Sequence, residues 1–189
     1  MIIESSLPVR YEITTSHGLL DPGNTQLLEY GDSQRRLIVI DHCICSFYLK
    51  AVESYFEMNK IETKIVIVDA TENHKDLETL TTILHEIETF GILRRSEPII
   101  AIGGGVLLDV AGFAASIYRR GVPYIRVPTT LVGLVDASIG IKTGINWEGR
   151  RNRLGGYNPP LVSYLDKSFL KTLPTLEIQS GLGEILKIA

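Results

Sequence analysis

Between Pro128 and Tyr157 the chain reads PTTLVGLVDASIGIKTGINWEGRRNRLGGY, which sets a threonine pair, an aspartate, a lysine, three arginines and two asparagines among glycines. A plain surface loop has no use for anion-binding groups at that density, and apolar Leu131, Val132, Leu134 and Val135 interrupt them. Lys142 stands alone in the small and apolar run IGIKTGI. An ammonium there is expected to be buried, and desolvating it is costly unless an anion meets it. The chemistry this set suits is the holding of a phosphorylated, polyhydroxylated molecule. Cations take the phosphate, and carboxylate and amide groups take the hydroxyls. Asp136, Lys142, Arg151 and Asn152 are the expected contacts.

Two further motifs bear chemistry. Gly103-Gly104-Gly105 follows an apolar run and opens a helical pattern, so backbone N–H groups there could approach a pyrophosphate, although glycine triplets also make plain turns. Asp109, one turn on, could reach a ribose or a substrate hydroxyl, or stand as an exposed helix carboxylate. Later, SGLGEILK carries two glycines within a helical pattern at Gly181 and Gly183. Each costs about 1 kcal/mol relative to alanine, which suggests close backbone approach. Glu184 and Lys187, three apart, share a face. They form either a surface ion pair or a metal-ligand carboxylate beside a substrate-binding ammonium.

The elements that must position these groups alternate. Val9 to Thr14 reads as a strand, and short apolar runs at Arg36–His42, Lys64–Ala70, Pro98–Gly103 and Tyr124–Pro128 read as buried parallel strands. Apolar residues at helical spacing fill the gaps from Ile44 to Met58, Leu77 to Gly91 and Val106 to Tyr118. The order predicts an α/β fold with a doubly wound, mainly parallel Rossmann-like sheet. Asp41, Glu72 and Lys75 fall near the carboxyl ends of strands, where ligands of such sheets bind. From Pro174 to Ala189 a further helical pattern runs out with no stop signal, so a longer protein, or completion by a separate chain, is expected.

Composition narrows the partners. A net charge of −3 over 189 residues gives no support for nucleic acid or an acidic membrane surface as the main partner. The arginine doublets are mostly solvated faces, but Arg119-Arg120 and Arg150-Arg151 flank the segment above. Cys43 and Cys45, two apart after a strand, are not expected to pair, and half-buried thiols in a reducing compartment fit better than a metal site with His42. No signal peptide or membrane span is read, which points to the cytoplasm.

Taken together, GGGVLLDVAGFAASIYRRG, VPTTLVGLVDASIGIKTGIN, RRNRLG and SGLGEILK resemble the dehydroquinate synthase superfamily of sugar-phosphate cyclases. The resemblance implies an NAD-binding α/β domain over 1–174, with 175–189 as the first helix of a metal-binding helical domain. It implies that NAD lies against Gly103, Gly104, Gly105 and Asp109. Asp41, Glu72, Lys75, Thr129, Thr130 and Lys142 would join them, with Phe169, Thr172, Leu173 and Glu177 nearer the adenosine. Asp136, Lys142, Asn152, Arg151 and Lys187 fall on substrate positions, with Asp136, Lys142 and Lys187 catalytic. Arg120 falls on a phosphate-binding arginine, and Glu184 on the ligand of a zinc or cobalt ion whose two histidines are not in this chain. Cys43 stands where dehydroquinate synthases commonly carry asparagine, and Arg151 replaces a lysine.

Gly140-Ile141-Lys142 and Asn152-Arg153-Leu154-Gly155 are similar to the branch acting on sedoheptulose 7-phosphate. Within that branch, Lys142 to Asn146 and Tyr157 to Pro160 look more like 2-epi-5-epi-valiolone synthases than desmethyl-4-deoxygadusol synthases. The reaction implied is transient oxidation at a ring carbon, phosphate elimination, return of the hydride, ring opening and aldol closure, in a homodimer. Alternatives are 3-dehydroquinate synthase, a metal-dependent polyol dehydrogenase, and a non-catalytic NAD-binding fragment.

Overall fold

The computed structural model describes Ile2, Glu4 and residues 8–188. In chain order the strands are β1 (Glu12–Ser16), β2 (Arg35–Asp41), β3 (Glu62–Val68), β4 (Ile99–Gly103), β5 (Tyr124–Pro128), β6 (Lys142–Trp147), β7 (Arg150–Tyr157) and β8 (Val162–Asp166). The α-helices are α1 (His42–Met58), α2 (Leu77–Phe90), α3 (Gly105–Ile117) and α4 (Thr175–Ile188). Six strands form one sheet in the order β1-β8-β5-β4-β2-β3, and all neighbours are parallel.

Alternate residues of a strand face opposite ways, so β2 and β4 feed two cores. Leu37, Val39, Ile99 and Ala101 pack with α2 and α3, through Leu80, Ile83, Leu107 and Ala111. Ile38, Ile40, Ile100 and Ile102 pack on the other face with Val52, Tyr55 and Phe56 of α1. Each large apolar side chain buried this way contributes about 1.5–3 kcal/mol. Helices on both faces of a parallel sheet make the fold doubly wound, as the alternation predicts. The helix boundaries have local causes. Asp41 accepts from Cys43 N at 3.2 Å and caps α1, Asp76 accepts from Thr79 N at 2.9 Å and caps α2, and Gly91 ends α2 at φ 66°.

The strand order reverses between β2 and β4. That reversal opens a crevice outside the carboxyl ends of the two strands, at Asp41 and Gly103. A Cβ added at Gly103 would lie 3.2 Å from Asp41 Cβ. The two residues therefore form the floor of the crevice.

Several elements differ from expectation. β1 starts at Glu12 rather than Val9, and β8 joins it to the sheet without having been anticipated. Residues 142–157 are an antiparallel hairpin, not a loop with bends. Glu148 and Gly149 both take positive φ, 47° and 71°, as the mirror-image two-residue turn requires. The usual Asn-Gly signal of that turn is missing here, because glutamate occupies the first position. Gly144 faces Gly155 across the hairpin, and a Cβ on Gly144 would lie 2.5 Å from Leu154 O. The two strands approach this closely only because no side chain stands there.

The cysteines sit in the first turn of α1, not on a strand, and both are free. Two positions on a helix are about 200° apart, so they cannot pair. Cys43 is exposed rather than half-buried, although desolvation, followed by the neighbouring Asp41, pushes its thiol up to about 12. Among the described residues no helix is long and apolar enough to cross a membrane.

Candidate active site

The glycine turn sits where β4 meets α3. Gly104 takes extended φ/ψ as the helix N-cap and offers no side-chain cap, so the first N–H groups of α3 face outward. The segment after β5 lies alongside. Thr129 N donates to Gly103 O at 2.9 Å, and a Cβ on Gly104 would lie 3.1 Å from Thr130 Cγ2. Thr130 Oγ1 in turn accepts from Gly133 N at 3.0 Å. Thr129 Oγ1 is buried and finds no partner among the described residues, and a buried hydroxyl left so is costly unless a ligand completes it. On the α1 side, Tyr48 packs edge-on against buried Phe169 at 4.9 Å between ring centroids, and its hydroxyl lies 2.8 Å from Thr172 Oγ1. Leu173 follows directly, and Glu177 lies exposed in the first turn of α4.

Beside the turn opens a cavity of about 840 Å³ whose walls come from α3, the Gly133–Ala137 helical turn, the hairpin and α4. Lys75 is 5% exposed and donates to Asp109 Oδ2 and Asn152 Oδ1, both at 2.6 Å. Burial raises the Asp109 carboxyl above its ordinary value, and the ammonium of Lys75 opposes that rise. Asn152 itself is left-handed, at φ 53°, and its N–H donates to Asn146 Oδ1 at 2.8 Å. Asn146 Nδ2 donates to Glu72 Oε1 at 3.0 Å, and Asn146 N donates to Lys75 O at 2.7 Å. One polar network thus ties the hairpin to the Glu72–Lys75 turn.

Asp136, Lys142, Glu184 and Lys187 complete the cavity lining. Lys187 donates to Glu184 Oε1 at 2.9 Å, which raises its pKa, with Asp136 adding a weaker pull. The α4 glycines behave differently from each other. A Cβ on Gly181 would lie 2.5 Å from Leu131 Cβ, so α4 docks there by its backbone, whereas Gly183 has open space around it.

One expectation needs correction, and two arginines fall outside the cavity lining. Lys142 is exposed on the cavity wall rather than buried, because β6 alternates and its neighbours Thr143 and Ile145 take the inward positions. Arg151 is not on the cavity lining; its Nε pairs with Glu72 Oε1 at 3.4 Å at the cavity's edge, and Arg153 lines the cavity. Arg120 follows the C-terminal end of α3, whose 13 residues span roughly 20 Å, and is not on the cavity lining. Asn146 and Arg126 went unassigned in the sequence. The signal for Arg126 was a charge inside the apolar strand YIRVP.

NAD fits these residues. The glycines leave room for a pyrophosphate, α3 points its N-terminus at that room, and Thr129 offers an unpaired hydroxyl. A catalytic zinc does not fit this chain alone. Glu184 is one carboxylate, already paired, and no group of three metal-ligating side chains exists among the described residues.

Comparison with known proteins agrees with this layout. A 2-epi-5-epi-valiolone synthase of Streptomyces albus is 47% identical, aligned over 100% of this chain and 47% of its own length. A 3-dehydroquinate synthase of Prochlorococcus marinus is 38% identical over 94% of this chain and 49% of its own. The solved structure of ValA, a 2-epi-5-epi-valiolone synthase from Streptomyces hygroscopicus subsp. jinggangensis with NAD+ and Zn2+ bound, superposes with TM-score 0.95 at 40% identity. It covers 100% of this chain and 52% of ValA. The chain spans about half the length of the curated relatives it matches. With residues 65–180 matching the model of the 3-dehydroquinate synthase N-terminal domain, the chain belongs to that family.

Proposed function

We propose that this chain is the NAD- and substrate-binding half of a sugar-phosphate cyclase. The enzyme would convert sedoheptulose 7-phosphate to a seven-carbon carbocycle of the 2-epi-5-epi-valiolone type, with loss of phosphate. The observation that carries the reading is the joining of a glycine turn fit for NAD to a cavity holding both Lys142 and Asp136. Bound NAD would supply reversible hydride acceptance at a ring carbon, and zinc or cobalt would polarise the hydroxyl there. Lys142 and Lys187 offer positive charge to the departing phosphate without acting as strong bases. Asp136 and Asn152 read hydroxyls, and Lys75 holds both Asp109 and Asn152 in place. Glu184 would give the metal one ligand, and the others would come from the rest of the protein.

In this proposal residues 1–174 form the NAD-binding domain and 175–189 open the metal-binding one. Ala189 lies outside the described residues. The enzyme would work in the cytoplasm, as a homodimer as the family resemblance implies. The relative at 38% identity favours a second reading, 3-dehydroquinate synthase. Assays of the full-length protein with NAD+ and metal decide between them. Sedoheptulose 7-phosphate should yield phosphate and a carbocycle without NADH build-up. Preference for the seven-carbon acid substrate of dehydroquinate synthases would return the protein to that activity, and stoichiometric NADH would make it a polyol dehydrogenase. Turnover by the 189-residue chain alone would show that the metal site needs nothing more, and NAD binding by a full-length protein inert to every sugar would favour the non-catalytic reading.

A further inference from the structure

Arg126 is fully buried in the middle of β5, a central strand of the sheet. Its Nη1 donates to Ala137 O at 2.8 Å and to Gly140 O at 2.6 Å. Those two carbonyls bracket the turn between Asp136, on the Gly133–Ala137 helical turn, and Lys142, at the start of β6. Two residues earlier on the same face of β5, Tyr124 donates to Asn158 O at 2.7 Å. Asn158 N donates to Ile141 O at 2.7 Å, so this second bond holds the open end of the hairpin, where β6 begins and β7 finishes. The guanidinium carbon lies 5.3 Å from the Tyr124 ring centroid. β5 thus holds the chain on both sides of the hairpin's open end through two neighbouring side chains.

The grip is not the cheapest way to fill this core. Arg126 Nε and Nη2 are buried and find no acceptor among the described residues. A buried guanidinium with unanswered N–H groups is a poor stabiliser, and an apolar side chain of similar volume often does as well or better. A charge in that place points to a need for its two directed bonds.

We propose that Arg126 is a positioning residue that fixes the Ala137–Gly140 turn and thereby sets Asp136 and Lys142 on the cavity wall. The proposal rests on the reading of the cavity as the sugar-phosphate site, but part of its test does not. Amide hydrogen exchange on the chain without ligand should show the Ser138–Gly140 amides of Arg126→Met exchanging at least tenfold faster, with β4 and α3 unchanged. Arg126→Lys, which keeps a donor for the two carbonyls, should restore most of the protection. In the full-length enzyme Arg126→Met should lower kcat/KM for the sugar phosphate about 30-fold or more, leave NAD affinity within twofold, and keep or raise the melting temperature. Arg126→Lys should recover most of the loss. Unchanged exchange in a folded Arg126→Met protein overturns the proposal, whatever the substrate proves to be. So does a loss of kcat/KM that merely tracks a fall in melting temperature and is not rescued by lysine. If Arg126→Met does not fold, Arg126→Gln stands in: its amide ends two bonds short of Nη1 and cannot reach both carbonyls, so normal exchange in a folded Arg126→Gln would equally overturn the proposal.

Discussion

Lys75 holds Asp109 across 2.6 Å, with the lysine side chain 6% and the aspartate side chain 27% exposed. The same ammonium reaches Asn152 on the hairpin. A residue from the α2 side of the sheet therefore ties the helix that follows the glycine turn to the strand that lines the cavity.

The first prediction concerns pH. Desolvation outweighs the attraction of Lys75 and leaves the Asp109 carboxyl above its ordinary 3.8. A raised acid pKa means that the folded chain binds this proton more tightly than the unfolded one. The corresponding stability is complete below about 3.8 and is lost as pH rises through the higher folded value. Asp109→Asn should remove that dependence. Its unfolding free energy relative to the parent should improve as pH rises from 4 to about 7, as denaturant melts at each pH would show. A difference that stays constant with pH would mean that Asp109 titrates normally.

Lys75→Met should act oppositely, because it strands a half-buried carboxylate. We expect a loss of about 1–3 kcal/mol at neutral pH, much of it recovered in the double variant Lys75→Met/Asp109→Asn. Additive losses in that cycle would dissolve the pair as an energetic unit.

The glycines separate into two kinds. A Cβ on Gly103 would meet Leu107 Cδ2 at 2.6 Å as well as Asp41, so Gly103→Ala should cost about 1–3 kcal/mol of stability. At Gly104 the nearest atom, 3.1 Å away, is a threonine methyl. Gly104→Val should therefore fold, yet fill the space a pyrophosphate needs and weaken NAD at least tenfold in calorimetric titration. In α4, Gly181→Ala should loosen the contact with Leu131, while Gly183→Ala, in open space, should gain about 0.5–1 kcal/mol. Equal effects at 181 and 183 would show that α4 does not dock through Gly181.

These contrasts explain how far the sequence was legible. Uninterrupted apolar runs such as Leu37–Ile40 and Ile99–Ile102 announce buried parallel strands, and the alternation of such runs with helical spacing announces the double winding. Charged and glycine-rich stretches carry their chemistry in their composition, and one cavity gathers Asp136, Lys142, Asn152, Glu184 and Lys187. Pairing in space is what a linear reading cannot supply. Nothing local tells that Glu148-Gly149 closes a hairpin, that Arg151 pairs with Glu72 while Arg153 lines the cavity, or that Arg120 is a helix length away from the turn. Burial misled in one direction only: small apolar neighbours made Lys142 look enclosed, although strand alternation leaves it facing the cavity.

That exposure sharpens the last prediction. An exposed ammonium contributes little to the fold, so Lys142→Met should leave the melting temperature nearly unchanged, within about 0.5 kcal/mol of stability. If a phosphate or its departing charge meets Lys142, the loss is confined to the loaded enzyme. It should amount to about 2–4 kcal/mol of transition-state stabilisation, or a fall of roughly 10²- to 10³-fold in kcat/KM. Inhibition of the full-length enzyme by inorganic phosphate should weaken in parallel. Asp136→Asn should instead impair turnover while leaving phosphate inhibition nearly intact, because the carboxylate addresses hydroxyls rather than the anion. A Lys142→Met protein that folds, turns over normally and is inhibited by phosphate like the parent would remove Lys142 from the site and leave the anion to Lys75, Arg153 and Lys187, the other cations of the cavity.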